Sequence, residues 1–206
     1  MICQVMTGKI LLSTAYLPPA EYFAHIKKYE ELFIEREENY LKQSYRNRCY
    51  ILSADGPQVL TVPVYTGSFH KTPVKDIRID YSKRWQQIHS GALKSSYNSS
   101  PYFQFYFDII ERIIQSNYKF LLDLNMELLA AILRMLKIER KISYTVDFVP
   151  VAGNNGDFRY TISPKRVSIY DIREYMQVFR GVDGFVPGLS IVDLIFNTGP
   201  EASGYL

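Results

Sequence analysis

The chain is poor in the residues on which most catalytic and metal centres are built. It has two cysteines, Cys3 and Cys49, and three histidines in 206 residues. Two thiols make neither a disulfide framework nor a cysteine metal cluster, and no His or Cys pair has the spacing of a zinc site. No metal is expected. A Walker phosphate loop, a Gly-rich dinucleotide fingerprint and a G-x-S-x-G elbow are all missing, and GVDG (181–184) is too short a glycine signal to mean phosphate binding. No cofactor is expected. No stretch reaches the roughly 18 apolar residues of a membrane span, and MICQVMTGKILLS lacks the pattern of a signal peptide. These absences point to a cytoplasmic protein. Basic residues form no block, and a net charge of +3 is too mild for an electrostatic footprint on nucleic acid.

Tyrosine, by contrast, is abundant: 17 Tyr and 12 Phe bring the aromatic share to 15%. Tyrosine buries a ring while keeping a polar tip, so the excess suits either an aromatic core or half-buried cleft walls. The remaining composition, 47% hydrophobic and 22% charged, is that of a globular protein, and the length suffices for one large domain over 1–206.

Periodicity divides the chain into strands and helices. KILLSTAY (9–16) reads as a buried strand, and Pro19 suits the first position of a helix whose inner face is Tyr22, His25, Ile26 and Tyr29. LFIE (32–35) follows as a strand. YRNRCYIL (45–52) and VLTVPV (59–64) form a hairpin around Asp55-Gly56, because Asp-Gly tolerates the positive φ of such turns. DIRID (76–80) alternates as a strand should. From 82 to 138 the pattern is helical. Trp85, Ile88 and Ala92 share a stripe, Ser100-Pro101 opens a helix with Phe103, Phe107, Ile110 and Ile114 inward, and Asn125 caps a third helix. That helix carries Arg134 and Lys137 in its last turn. ISYTVDF (142–148) and DFRYTI (157–162) alternate and predict a second hairpin across 153–156. The segment 189–201 carries a full set of helix signals: Ser190 with Asp193 as capping box, Leu189 and Leu194 as staple, Gly199-Pro200 as stop. The expected class is α+β, a single domain with a mixed sheet.

ENYLKQSYRNRC (38–49) concentrates the chemistry. Burying unpaired guanidinium is costly, so Arg46 and Arg48 must meet carboxylates or an anionic ligand. Glu35, Glu37 and Glu38 stand near enough in sequence to supply an internal network. A phosphate or carboxylate ligand is the other partner that a bidentate Arg fits. His89, four residues after the only Trp on an apolar helix face, is either a satisfied core residue or a general base. His25 admits the same two readings. Cys49 reads as a small buried hydrophobe against a nucleophile, and Asp193 has its capping role to explain it.

STAYLPPAEYF (13–23), ENYLKQSYRNRC, LTVPV (60–64), Trp85 with His89, SSPYF (99–103) and GFVPGLSIVDLIFNTGPE (184–201), in this order, resemble the WbqC-like family of bacterial proteins over nearly the full length. Some members lie in gene clusters for O-antigen and other surface polysaccharides. The resemblance implies a transferase attaching an acyl or aminoacyl group, such as glycine, to a sugar amine. It implies a small-molecule substrate, a nucleotide-linked amino sugar, together with an acyl donor. By position it implies Lys42, Arg48, Asp193 and Asn197 as substrate-binding residues, with Asn47 as oxyanion donor and His89 as base. The chain departs from the family pattern at Ser13-Thr14, where other members carry Gln-Pro, and at Pro19-Ala-Glu-Tyr-Phe, where they carry Trp-x-Gly-Tyr-Phe. At Cys49 many carry Asn, which argues further against a nucleophile there. The same residues also fit a binding protein that performs no chemistry. RNA binding lacks both the sheet-borne aromatic motif and the basic charge it requires.

Overall fold

A computed structural model describes residues 6–65, 72–148, 150, 156–166, 168, 170, 172–180 and 184–206. The class is α+β. Strand β1 (Met6–Ser13) passes through helix α1 (Ala20–Lys28) into β2 (Tyr29–Glu35), and the two strands pair in parallel. β5 (Ile142–Tyr144) adds to β2, again in parallel, giving the order β1-β2-β5. Register explains the two faces of this sheet. Ile10 opposite Leu32 and Leu12 opposite Ile34 are fully buried. The intervening pairs run Lys9–Glu31, Leu11–Phe33 and Ser13–Glu35. That second face is wet at its amino end, where Lys9 and Glu31 form an exposed ion pair at 3.6 Å. At its carboxyl end Ser13 and Glu35 are buried, so something must cover and neutralise them.

The hairpin of β3 (Arg48–Ser53) and β4 (Gly56–Thr61) forms as expected, with Gly56 at φ +101° closing its turn. Strand geometry begins only at Arg48, so Tyr45, Arg46 and Asn47 belong to the entry turn. α2 (Trp85–Tyr97), α3 (Phe103–Gln115) and α4 (Leu121–Met135) pack in sequence, and α5 (Ile191–Thr198) closes the chain before a 3₁₀ helix, Gly199–Tyr205. One hydrophobic core runs from Ile10 to Ala202 through all of them. Gly199 ends α5 at φ +56°; a Cβ there would lie 2.4 Å from the Tyr102 ring, so only glycine serves.

Several expectations fail for tertiary reasons. Residues 76–80 are not a strand. A 3₁₀ turn, Val74–Asp76, precedes single bridges from Arg78 to Phe120 and Ile79 to Val64. The alternation there arises because Ile77 and Ile79 are buried while Arg78 is exposed. Ile88 is 60% exposed; the inner stripe of α2 is Trp85, His89 and Leu93. Ser100-Pro101 lies in a turn ahead of α3, whose N-cap is Tyr102. Asn125 caps nothing. It sits inside α4, where its Nδ2 donates to the Arg46 carbonyl (2.8 Å) and to Thr14 Oγ1 (3.2 Å). Lys137 lies past the end of α4 at φ +55°. No hairpin joins 142–148 to 157–162. β5 pairs with β2 instead, and Asp157 bridges Leu11 on the opposite edge of the sheet. Cys3, residues 153–155 of the expected hairpin loop and 181–183 of GVDG lie outside the described residues.

Candidate functional site

In sheets of parallel strands, ligand sites gather beyond the carboxyl ends of the strands. Here that end carries a buried network of charge. Arg46 Nε and Nη2 donate to Glu38 at 2.9 and 2.6 Å, a bidentate pair, and Nη2 also reaches Ser13 Oγ at 2.9 Å. Ser13 Oγ in turn donates to the Arg159 carbonyl (3.0 Å). Arg159 clasps Asp157 through Nε (2.9 Å) and Nη2 (2.6 Å) and donates to Glu35 through Nη1 (2.8 Å). Glu35 Oε1 is completed by Thr145 Oγ1 (2.6 Å) and the Glu37 amide (2.9 Å). The side chains of Glu35, Glu38 and Arg159 are fully enclosed. For Arg46 the carboxylate partner suggested by neighbouring sequence is the one present. The partner of Glu35 comes from 124 residues away, which no local pattern could announce.

Beside this network opens a cleft of about 690 Å³. One wall is Ala20 and Glu21 at the start of α1, with Tyr45 and Tyr50. The facing wall comes from Pro164, Arg166, Tyr170, Glu174, Tyr175 and Phe185, with 186–189. The walls are held together by backbone. Ser190 N donates to the Tyr50 carbonyl (2.7 Å), Ile191 N to that of Pro18 (2.9 Å) and Ala20 N to that of Leu189 (3.4 Å). Leu17, at φ +41°, bends the chain from β1 into the Pro18-Pro19 entry to α1. Tyr45 and Tyr50 meet edge to face, 6.2 Å between centroids. Desolvation, with smaller contributions from Tyr50 and Glu21, pushes the Tyr45 hydroxyl well above its ordinary value, so it keeps its proton at neutral pH.

None of the six residues implied by resemblance lines this cleft. His89, Asn47 and Arg48 do come together around the end of β4. Arg48 pairs with Thr61, Asn47 Nδ2 donates to the Val62 carbonyl (2.9 Å), and Val62 N returns a bond to Asn47 O (2.8 Å). His89 is 2% exposed. Its Nδ1 lies 2.8 Å from Tyr16 Oη, and a further hydrogen bond joins the ring to the Thr61 backbone. Burial lowers its pKa to about 4. A ring so enclosed, neutral and bonded to protein is placed as a core histidine is, with no opening through which to take a proton from a ligand. Arg48 is half-buried, and its Nε has no hydrogen-bond partner among the described residues. Lys42 is exposed in the loop before it.

Asp193 and Asn197 lie apart from this group, on α5. Ser190 does cap that helix, accepting from Val192 N (3.5 Å). Asp193 does not complete a capping box. Its Oδ2 accepts from Tyr175 Oη (2.5 Å) and Gln177 Nε2 (3.0 Å), and Gln177 holds Val186 by both its N–H and its carbonyl. Asp193 therefore anchors the far wall of the cleft from behind. Desolvation raises its pKa, against the hydrogen bonds that lower it. Asn197 Nδ2 is spent on the Asp193 carbonyl (2.7 Å). Cys49 is fully buried, and burial pushes its thiol up, so no thiolate nucleophile stands there. No group of three His, Cys, Asp or Glu positioned for a metal occurs among the described residues, nor any helix long and apolar enough to cross a membrane.

Sequence reasoning missed Glu21, Arg166, Tyr170 and Glu174 as a set. Two signals were available: the tyrosine excess, which suits cleft walls without saying which tyrosines form them, and the mixture of charge and rings in KRVSIYDIREY (165–175). The WbqC-like protein family profile matches residues 14–167, taking in Glu21, Tyr45, Tyr50 and Arg166 but not the wall from Tyr170 onward. Uncharacterized protein Rv1507c of Mycobacterium tuberculosis (strain ATCC 25618 / H37Rv) is 29% identical over 226 residues, covering 95% of this chain and 96% of that protein. No solved structure matches.

Proposed function

The chain belongs to the WbqC-like protein family, and from that premise we propose that it is an acyl- or aminoacyl-transferase acting on an amino sugar. The sugar is held in the cleft between the start of α1 and the wall that carries Arg166, Tyr170, Glu174 and Phe185. The observation that carries this reading is the lining: tyrosine rings at 45, 50 and 170 alternate with carboxylates at 21 and 174 and a guanidinium at 166. Rings stack on the apolar face of a sugar, carboxylates take hydroxyls or an ammonium, and arginine takes a phosphate. A nucleotide-linked amino sugar offers all three. Lys42 and half-buried Arg48, whose Nε has no hydrogen-bond partner among the described residues, are the proposed contacts for an anionic acyl donor. The whole of 1–206 is read as one domain, supported by the single core that joins both ends of the chain.

The test is a thermal-shift screen against nucleotide-linked amino sugars, followed by mass spectrometry of the sugar after incubation with activated acyl donors. A ligand at 100 times its dissociation constant adds about 2.7 kcal/mol of stability. Gain of one acyl group on the sugar supports the transferase; absence of any shift sinks the cleft reading. A second reading, a binding protein without turnover, is favoured by one specific observation: His89 is enclosed, and no histidine lines the cleft among the described residues. Binding with no acyl transfer under any donor selects it.

A further inference from the structure

Helix α4 keeps one stripe outside the core. Asp123, Glu127, Ala130, Arg134 and, just past its end, Lys137 follow at alternating steps of four and three, with Met126 beside them. The charges on this stripe are sorted. Both carboxylates lie in the first half of the helix and both cations at its far end. The helix dipole accounts for Asp123 in the first turn and Arg134 in the last, but it does not reach Glu127 in the second. Like charges four apart, as at Asp123 and Glu127, weaken a helix. Glu127 and Arg134, seven apart, are too distant along it to pair with each other. None of the four charged side chains has an ion pair among the described residues, whereas Lys94 of α2 finds Glu111 at 2.8 Å. Beside the stripe the surface is apolar: Ile142 and Tyr144 of β5 flank it, Tyr144 being 41% exposed. Two grooves meet at Ile142. One, of about 710 Å³, runs among Arg134, Lys137 and Lys141, and the other, of about 370 Å³, among Tyr118, Asp123 and Glu127. Ala130, midway along the stripe, is small enough to let a second helix approach closely.

We propose that this face binds a second copy of the chain, α4 against α4 and antiparallel, about a two-fold axis at Ala130. Across that axis Asp123 meets Lys137 of the second copy and Glu127 meets its Arg134, and each contact occurs twice. The order along the stripe is acid, acid, small, base, base, which reversed is its own complement. Self-complementarity of that kind is what an isologous contact requires, and the two-fold closes the assembly at two copies. Met126, Ile142 and Tyr144 supply the apolar part of the interface, while the charges fix partner and register.

Sedimentation equilibrium tests this. Wild type should dimerise at low salt with a dissociation constant in the micromolar range, weakened about tenfold or more in molar salt by screening. Glu127→Lys and Arg134→Glu each set like charges against one another at both symmetric contacts. Each variant alone should dimerise about a hundredfold or more weakly. Mixed one to one, the two variants restore opposite charges at both contacts, so the heterodimer should form about as tightly as the wild-type dimer. Both positions are exposed, and circular dichroism should show both variants folded. Should either fail to fold, a zero-length carbodiimide cross-link between isotope-labelled and unlabelled wild type decides: it must join Lys137 of one copy to Asp123 of the other. A wild type that stays monomeric, a dimer that survives both single reversals, a mixture that stays monomeric, or the absence of that cross-link overturns the proposal. So does a monomeric wild type that holds a different protein through this face, because the occupant is then not a second copy.

Discussion

Tyr16 Oη stands 2.8 Å from His89 Nδ1, and the two side chains seal each other into the junction of α2 with the entry to α1. Burial raises the Tyr16 hydroxyl and lowers the His89 imidazole, so both are neutral at pH 7 and the tyrosine is the donor. The pair is a structural bond with a titratable member.

Its pH dependence has a definite sign. The folded pKa of His89, about 4, lies below the roughly 6.5 of an unfolded histidine. The unfolded chain therefore binds the proton first. The contribution is fully present above pH 6.5 and is lost as pH falls from about 6.5 toward 4, by up to about 3 kcal/mol. Chemical denaturation between pH 7 and pH 4 should show this decline. In His89→Gln the decline over that window should be markedly smaller.

Asp193 titrates the other way. Its raised folded pKa means that ionisation on folding is penalised above the unfolded value, so the charge itself is no asset. Its acceptor atoms are. Asp193→Asn should fold with near-native stability at pH 7, whereas Asp193→Ala leaves Tyr175 Oη and Gln177 Nε2 without an acceptor and should cost about 1–3 kcal/mol. Urea midpoints of the two variants make the comparison.

At the carboxyl end of the sheet, Arg159→Met should destabilise by about 3–5 kcal/mol, because Glu35 is left enclosed without its cation. Adding Glu35→Gln should restore part of the loss. A double variant no better than Arg159→Met alone would mean that Asp157, not Glu35, sets the cost.

For the cleft, Tyr50→Ala removes one ring of its inner wall without touching the buried network. The melting temperature should change little. Affinity for any sugar found by the thermal-shift screen should fall by about 1–3 kcal/mol, typical of losing an aromatic contact.

How far the sequence could be read follows from the range of each interaction. The β3–β4 hairpin was legible because Asp55-Gly56 and its flanking strands carry the signal within about fifteen residues. Asn125 misled because an Asn before MELLAAIL looks like a cap; its side chain answers Arg46 and Thr14, both remote in sequence. Asp193 three residues after Ser190 fits a capping box equally well, yet Tyr175 and Gln177 take its carboxylate. The second supposed hairpin failed because its two halves serve opposite edges of one parallel sheet. For the site, the stretch around Tyr45–Tyr50 was recognisable by its mixture of charge and rings. The opposite wall draws Arg166, Tyr170, Glu174 and Tyr175 from KRVSIYDIREY (165–175), where charge and rings are mixed just as densely, but nothing local indicates that this stretch folds back to face Tyr45 and Tyr50.

The segment 156–158 has a wider consequence. Leu11 N donates to the Gly156 carbonyl at 2.8 Å and Phe158 N to that of Leu11 at 3.0 Å, along the outer side of β1. At the other side β5 offers only three residues. Among the described residues one margin is covered at Leu11 and the other is short, which limits the row of unpaired amides that allows one chain to template onto another. Resistance to cross-chain strand addition therefore hangs on Gly156, at φ +144°, where a Cβ would sit 2.5 Å from the Lys9 carbonyl oxygen. Any side chain there pushes the cover off, and the first symptom should be aggregation rather than loss of ligand.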